Sequence, residues 1–251
     1  MSNAPFKKYA RIGDLRKITG IEYKAAIAMY INGFADDAAK SIQAIKAHVG
    51  PDIAITAILP GEFELEVLKN EIDERTYLIQ ITDGVGWGEA MNALLKQAPA
   101  PYVIVMDPST IFLGDAITPV LQVLAEGEYS AVGWRGGLVS VEDEWRSVED
   151  KGPGEVDVLF SYFMALNKEN ALAANAFNIR AVYYRNADIE FSLKLRQAQG
   201  RLLQMELPLE QARHHGYYDT DEAYRDEQSK KNYDRILDRF RGKTEILIPR
   251  R

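Results

Sequence analysis

The residues best placed for chemistry are carboxylates at the ends of regular elements. Asp107 directly follows the apolar run Tyr102–Met106, which is typical of a buried strand. A second acidic group, Asp188 with Glu190, opens a later segment that predicts a helix. Ligands of open α/β sheets bind outside the carboxyl ends of the strands, so we expect Asp107 and Asp188 to face one crevice. This arrangement predicts an enzyme that handles a phosphorylated donor and deprotonates an acceptor.

Each of these carboxylates also has a purely structural interpretation. Asp107, Pro108 and Ser109 form a favourable turn sequence, because an Asp side chain can bond to its own backbone. Asp188 and Glu190 in a first helical turn would complement the helix dipole, which contributes only about 0.3–1 kcal/mol. Taken singly, neither group decides between the structural and the catalytic interpretation.

Two of the three histidines, His214 and His215, are adjacent in a stretch without apolar periodicity. Adjacent histidines rarely bind one metal ion together, so at most one of them is expected to be a ligand. An exposed polar loop explains the pair equally well. Arg135, Arg146 and Arg213 are candidate partners for a phosphate group, but none of them stands out from other surface arginines.

The elements that must position these residues alternate between strands and helices along the first half of the chain. This alternation predicts a mostly parallel sheet with right-handed crossovers. Strands are predicted at 23–31, 53–59, 77–81, 102–106, 130–133, 156–166 and 202–207, and helices near 35–49, 88–98, 114–126, 189–200 and 221–242. The polar segment 135–154 predicts either a functional loop or a small excursion with its own hairpin.

Composition bounds the remaining possibilities. The chain has 251 residues, 47% of them hydrophobic, a net charge of −7 and no cysteine. The negative charge argues against a nucleic-acid binder, and the missing cysteines exclude disulfides and thiolate metal sites. No apolar run is long enough to span a bilayer, so we expect a cytoplasmic protein. The glycines at 84, 86 and 88 lack dinucleotide-binding spacing, which argues against a Rossmann dehydrogenase.

Taken in order, these pieces resemble the family 2 glycosyltransferases of the GT-A fold, from about Tyr23 to Gly242. The resemblance lies in the order and spacing of several motifs rather than in any one of them. The matching residues are Asn32 after the first strand, then Gly86, Trp87, Ala90 and Asn92, then Asp107, Val156 with Asp157, Asp188 with Glu190, His214 or His215, and Asn232 with Tyr233 and Phe240.

The resemblance implies an α/β, GT-A-like single domain with a Rossmann-like, mostly parallel central sheet flanked by helices. An N-terminal extension (1–22) would precede this domain (23–251), whose donor half is about 23–133 and whose more irregular acceptor half is about 134–251. It also implies inverting transfer of a hexose-type sugar from a nucleoside-diphosphate sugar. The acceptor would be a glycan, a lipid-linked molecule or a small hydroxyl compound, and a second copy of the chain is a candidate partner.

The resemblance further assigns roles to residues. Asp188 would be the catalytic base, and Asp107 with His215 (or His214) would hold Mn²⁺ or Mg²⁺. The full set of implied donor contacts is Asn32, Trp87, Asn92, Asp107 and Ser109, and Asp157 and Glu190 would lie on the acceptor side.

The chain departs from the family pattern at three positions. Ser109 replaces the second Asp of the metal motif, residues 59–62 lack the usual acidic cluster, and Ala187 replaces the usual Glu. These departures leave open whether a metal is used and which nucleotide base the donor carries. They also favour one alternative, a catalytically inactive binding or scaffolding module. A sugar-phosphate nucleotidyltransferase is a weaker alternative, because residues 32–37 are acidic where that class needs a basic glycine-rich loop.

Overall fold

The structure is a computed structural model that describes residues 6–16, 22–213 and 219–250. Within these ranges the strands are β1 (Phe6–Tyr9), β2 (Ala25–Tyr30), β3 (Ile53–Leu59), β4 (Thr76–Ile81), β5 (Tyr102–Met106), β6 (Thr110–Phe112), β7 (Ala131–Gly133), β8 (Gly136–Val139), β9 (Val148–Glu149), β10 (Gly154–Val156), β11 (Val158–Leu159), β12 (Phe163–Asn167), β13 (Leu202–Gln204) and β14 (Leu209–Gln211). The helices are α1 (Ala35–His48), α2 (Glu62–Leu68), α3 (Trp87–Gln97), α4 (Ile117–Ala125), α5 (Lys168–Ala173), α6 (Ala187–Gln197) and α7 (Glu222–Phe240).

A mostly parallel sheet organises the molecule. Its strand order is β1-β4-β3-β2-β5-β12-β7-β13-β10, and β12 and β10 run opposite to the others. From β2 the chain first builds outward through β3 and β4, then crosses to the other side of β2 to form β5. This reversal creates a topological switch point between β2 and β5, where the carboxyl ends of the strands leave a crevice. Asp107 follows β5 at that edge.

Helices cover both faces of the sheet, so the central strands are buried on both sides. Along β2, side chains alternate between the two cores, with Ala26 and Ala28 on one face and Ile27 and Met29 on the other. The first core includes α3 and α6, and the second includes α1 and α4. A strand covered on both faces must be apolar at every position, which explains its uninterrupted hydrophobic sequence.

The predicted α/β class and mostly parallel sheet are confirmed. The strands predicted at 53–59 and 102–106 have those bounds in the structure, and the helix predicted at 88–98 runs from 87 to 97. The single strand predicted at 156–166 is wrong, because the chain there is divided among β10, β11 and β12. The strand predicted at 202–207 ends at Gln204.

The segment predicted as a loop or an excursion at 135–154 contains a hairpin. Strands β8 and β9 pair antiparallel, and β11 pairs with the other edge of β8. This hairpin packs in a third apolar cluster with α6, α7 and residues 246–247. The excursion alternative is therefore the one that the structure adopts.

The segment after α7 ties the hairpin to the body of the domain. The side chain of Asp157 is fully buried and accepts hydrogen bonds from the backbone N–H groups of Val139 (2.9 Å) and Ile248 (2.8 Å). Arg250 donates to the same carboxylate at 2.6 Å and to the carbonyl of Val139. Asp157 thus connects three distant parts of the chain.

At the opposite edge of the sheet, β1 pairs parallel with β4, so Phe6–Tyr9 joins the sheet. The division of the chain into an extension and one domain stays a prediction. Across the described ranges, no helix combines the length and the apolar character needed to cross a membrane.

Candidate functional site

A cavity of about 1020 Å³ opens at the carboxyl edge of the sheet and contains both predicted carboxylates. Its wall combines the residue after β5, residues 160–162 before β12, the β8–β9 hairpin, residues 184–186, and parts of α6 and α7. The lining residues that matter for chemistry are Asp107, Trp145, Arg146, Phe160, Ser161, Tyr162, Tyr184, Arg185, Asp188, Arg225 and Tyr233. The structure therefore brings Asp107 and Asp188, 81 positions apart in the sequence, to one cavity.

Asp107 is held in a turn at the end of β5. Its Oδ1 accepts hydrogen bonds from the backbone N–H and the hydroxyl of Ser109, both at 2.8 Å. Gln211 donates to the Ser109 hydroxyl at 2.8 Å. Ser109 itself is 1% exposed and does not line the cavity. The turn chemistry recognised in the sequence and the exposure of Asp107 to the cavity thus coexist at one residue.

Asp188 sits in the first turn of α6 with three hydrogen bonds to its carboxylate. Ser161 donates through its backbone N–H (2.8 Å) and its hydroxyl (3.1 Å), and the backbone N–H of Ile189 donates at 2.9 Å. Burial raises the pKa of Asp188 above its ordinary value, although these hydrogen bonds oppose the rise. A carboxylate with a raised pKa is a stronger base, which suits proton abstraction.

Asp188 and Asp107 form hydrogen bonds with neighbouring residues of one segment, Asp188 through its carboxylate and Asp107 through its backbone. Asp188 is bonded to Ser161, and the next residue, Tyr162, accepts a hydrogen bond from the backbone N–H of Asp107 at 3.3 Å. The preceding residue, Phe160, belongs to the wall formed with the hairpin. Along the cavity wall, residues 160–162 therefore place Asp188 between Asp107 and the hairpin.

The loop that carries Tyr184 and Arg185 is clamped by a half-buried and a buried amide side chain, those of Asn92 and Asn232. Asn92 on α3 pairs with both backbone groups of Phe177, since its Nδ2 donates to the carbonyl and its Oδ1 accepts from the N–H, each at 2.8 Å. Asn232 on α7 donates to the carbonyls of Tyr183 (2.8 Å) and Arg185 (2.7 Å). The loop thus has little freedom to move its cavity-lining residues.

Glycine at position 88 lets α3 approach this loop closely. A Cβ atom there would lie 2.1 Å from the carbonyl oxygen of Asn178, which is too close for any side chain. The backbone N–H of Gly88 instead donates to the carbonyl of Ala181 at 2.8 Å. This glycine therefore serves helix–loop packing.

Lys194 on α6 is a further clamp. Its ammonium donates to the carbonyls of Asn175 (2.9 Å) and Ala176, two residues with left-handed backbone conformations. Burial lowers the pKa of Lys194 to about 8, against the opposing effect of the nearby Glu190 carboxylate. The loop is thus fixed by a buried charge whose protonation depends on pH.

Several predicted site residues do not line the large cavity. Trp87 is buried and packs edge-to-face against Phe177, with ring centroids 5.1 Å apart, while Asn32 is exposed after β2. Asn92 and Glu190 line a second cavity of about 490 Å³, where Glu190 accepts from Asn178 at 2.8 Å. Glu190 faces away from Asp188 because residues two apart on a helix point in nearly opposite directions.

Asp157 also lies outside the lining, bound to the segment after α7 as described above. His214 and His215 fall outside the described residues. In the part of the chain that the structure describes, no group of three or more His, Cys, Asp or Glu side chains could hold a metal ion. A hard cation needs few protein ligands when substrate phosphates supply the rest. The described residues therefore fit a cation shared between Asp107 and a phosphorylated substrate, and among themselves they form no complete ligand set.

The aromatic lining was not found from the sequence. Trp145, Phe160, Tyr162, Tyr184 and Tyr233 come from four separate segments, and nothing local distinguishes them from core residues. Of these residues, only Tyr233 belongs to a recognisable sequence pattern, and that pattern assigns it to the apolar stripe of α7 rather than to a cavity. Its hydroxyl in fact donates to the carbonyl of Trp145 at 2.6 Å.

Comparison with known proteins supports the fold. No protein-family model and no curated protein matches the sequence. The structure is similar to the mannosyltransferase PcManGT from Pyrobaculum calidifontis, solved with GDP-Man and Mn²⁺, at a TM-score of 0.58 and 11% identity, over 74% of this chain and 55% of that one. It is also similar to GalNAc-T7, solved with UDP, GalNAc and Mn²⁺, at a TM-score of 0.66 and 13% identity, over 86% of this chain and 48% of that one.

The chain thus spans about half the length of these two solved proteins. At such low identity the likeness concerns the fold alone. The large, mostly parallel sheet with helices on both faces is the arrangement that these glycosyltransferases share with this chain, whose fold is accordingly GT-A-like.

Proposed function

We propose that the chain is a glycosyltransferase that moves a sugar from a nucleoside-diphosphate sugar to a hydroxyl acceptor with inversion at the anomeric carbon. The observation that carries this proposal is that Asp107 and Asp188 line one cavity at the switch point of a GT-A-like sheet. The sequence resemblance to family 2 and the glycosyltransferase neighbours add support.

In this proposal the donor diphosphate lies near Asp107. A divalent cation bound there would offset the negative charge that develops on the leaving diphosphate. Both neighbours were solved with Mn²⁺ and a nucleotide or nucleotide sugar, which supports this choice of ligands. His214 or His215 remains the predicted further ligand, and the predicted donor contacts of Asn32, Trp87, Asn92 and Ser109 remain without supporting geometry.

Asp188 acts as the general base. The acceptor hydroxyl attacks the anomeric carbon from the face opposite the diphosphate, the bond from that carbon to the diphosphate oxygen breaks, and the hydroxyl proton passes to the Asp188 carboxylate. The hydrogen bonds from Ser161 and Ile189 fix the orientation of this carboxylate before the reaction. Such pre-positioned groups commonly supply a large share of the rate enhancement.

The test combines nucleotide binding with turnover. Thermal shifts with UDP, GDP, dTDP and CDP, each with and without Mn²⁺, identify the donor class, since ligand at a hundredfold excess over Kd stabilises by about 2.7 kcal/mol. Transfer is then assayed with sugars of the nucleotide that binds. We expect Asp188→Asn to keep the thermal shift and to lose turnover by about 10²–10⁴-fold. The exposed Asp83→Asn is the matched control, and unchanged turnover in Asp188→Asn would refute the assignment.

The second candidate is a non-catalytic binding module. The observation that favours it is Ser109, whose backbone N–H and hydroxyl both donate to Oδ1 of Asp107, an oxygen that a cation would otherwise use. Such a module would give a nucleotide-dependent thermal shift with no hydrolysis or transfer of any nucleotide sugar. A transferase gives both the shift and turnover.

A further inference from the structure

We propose that the acceptor carries an apolar or aromatic group beside its reactive hydroxyl. This group would bind at the hairpin end of the large cavity, defined here by Trp145, Val148, Phe160, Ile189 and Tyr233. The inference rests on the proposed function, because it takes the cavity to hold a donor near Asp107 and an acceptor near Asp188.

The hairpin end carries most of the apolar lining of the cavity, although Arg146 and Ser147 of the same hairpin also line it. Val148, Phe160, Ile189 and Tyr233 are partly buried and pack against an apolar cluster, so the side chains that they expose to the cavity are apolar or aromatic. Buried members of that cluster extend the same apolar lining, namely Val139, Trp145, Leu193 and Ile236. An apolar wall of this kind favours ligands that bury apolar surface.

The position of Asp188 connects this wall to the reaction. Asp188 is bonded to Ser161, which lies between Phe160 at the hairpin end and Tyr162 beside Asp107. A hydroxyl that reaches the Asp188 carboxylate from the side away from Asp107 therefore brings its attached group against Phe160. The cavity volume of about 1020 Å³ is at the upper end for ligand sites and leaves room for this group beside a donor.

The hydroxyl of the aromatic wall, on Tyr233, is already engaged. The hydroxyl of Tyr233 donates to the carbonyl of Trp145, so this ring offers its face rather than a donor to a ligand. The backbone of Trp145 is fixed further by its own N–H, which donates to the backbone carbonyl of Ser140 at 2.8 Å. Glu144 and Trp145 both have positive φ values, 61° and 70°, which are costly for such residues and tolerated where a fixed geometry is needed.

The experiment compares matched probes that differ in one apolar group. Binding of phenyl and methyl β-glucoside, phenyl and methyl β-galactoside, and benzyl alcohol and ethanol is measured by calorimetry on the full chain. We expect at least one aryl probe to bind about tenfold or more tightly than its partner, because a ring is removed from water. If no aryl probe binds more tightly than its small counterpart, the proposal is wrong.

Two variants locate the effect. Phe160→Ala and Val148→Ser should reduce the aryl preference towards onefold, whereas Phe63→Ala, which removes a ring that is 71% exposed outside the cavity, should leave it unchanged. An aryl preference that survives both cavity variants would overturn the assigned location. Thermal shifts with nucleotides are measured separately on the unchanged protein. If no nucleotide gives a shift while the aryl preference is present, the donor site is refuted and the apolar subsite is not.

Discussion

Replacing Asn92 by Leu distinguishes a structural clamp from a donor contact. Leu has nearly the size of Asn but no hydrogen-bonding groups, so both backbone groups of Phe177 would lose their 2.8 Å partners. Leaving a buried polar group unpaired costs about 1–3 kcal/mol. Two such groups would together cost about 2–6 kcal/mol. Because Asn92 is half-buried and water can reach part of this region, we expect the lower part of this range, about 2–4 kcal/mol.

The assay is thermal unfolding with and without the nucleotide found to bind. For a chain of this size, a loss of about 2–4 kcal/mol lowers Tm by about 4–16 °C. Asn70→Leu, the same substitution at an exposed position, is the matched control and should change Tm little. If Asn92→Leu were as stable as this control but no longer bound nucleotide, the clamp interpretation would be refuted and the predicted donor contact supported.

Three further predictions follow from buried charges, each measured as the free energy of unfolding. Because the pKa of Lys194 is lowered from 10.5 to about 8, the unchanged protein should lose stability as pH falls from about 10.5 to about 8, by at most about 3 kcal/mol and by less where water screens the ammonium, and Lys194→Met should lack this dependence. Arg250→Met should cost about 2 kcal/mol, because the fully buried Asp157 loses its ionic partner but keeps two backbone donors, whereas Lys230→Met, which breaks an exposed ion pair, should cost less than about 0.5 kcal/mol. Because the pKa of Asp188 is raised, its contribution is greatest at low pH and is lost as pH rises through that pKa, a loss that Asp188→Asn should remove. Equal pH profiles for variant and unchanged protein would contradict the first and third predictions, and equal costs for the two cation variants would contradict the second.

The parts of the fold and site that the sequence predicts are those with a local signal. The uninterrupted apolar strands, the turn after β5 and the acidic start of α6 each follow from neighbouring residues, and they place Asp107 and Asp188 at element ends. The switch point of the sheet then explains why both reach one cavity. Periodicity and topology together were sufficient for this part.

The remaining features depend on contacts between distant segments. Asn92 stands out as a polar residue in an apolar helix, but the sequence does not tell whether such an amide meets a ligand or a backbone. Asp157 looks like a site carboxylate at a strand end, yet its partners lie 91 and 93 positions later. The contact between Tyr233 and Trp145 spans 88 positions, so neither residue could be assigned to the cavity from local pattern.

The separation between Asp157 and its partners has a consequence for the order in which the protein is made. A ribosome that adds about 5–20 residues per second reaches Ile248 about 5–20 s after Asp157. During that interval the strands from β2 to β5 are complete and can begin to pair, while the Asp157 carboxylate still lacks Ile248 and Arg250. The nascent chain should therefore assemble strands β2 to β5 first and close the wall of the cavity last.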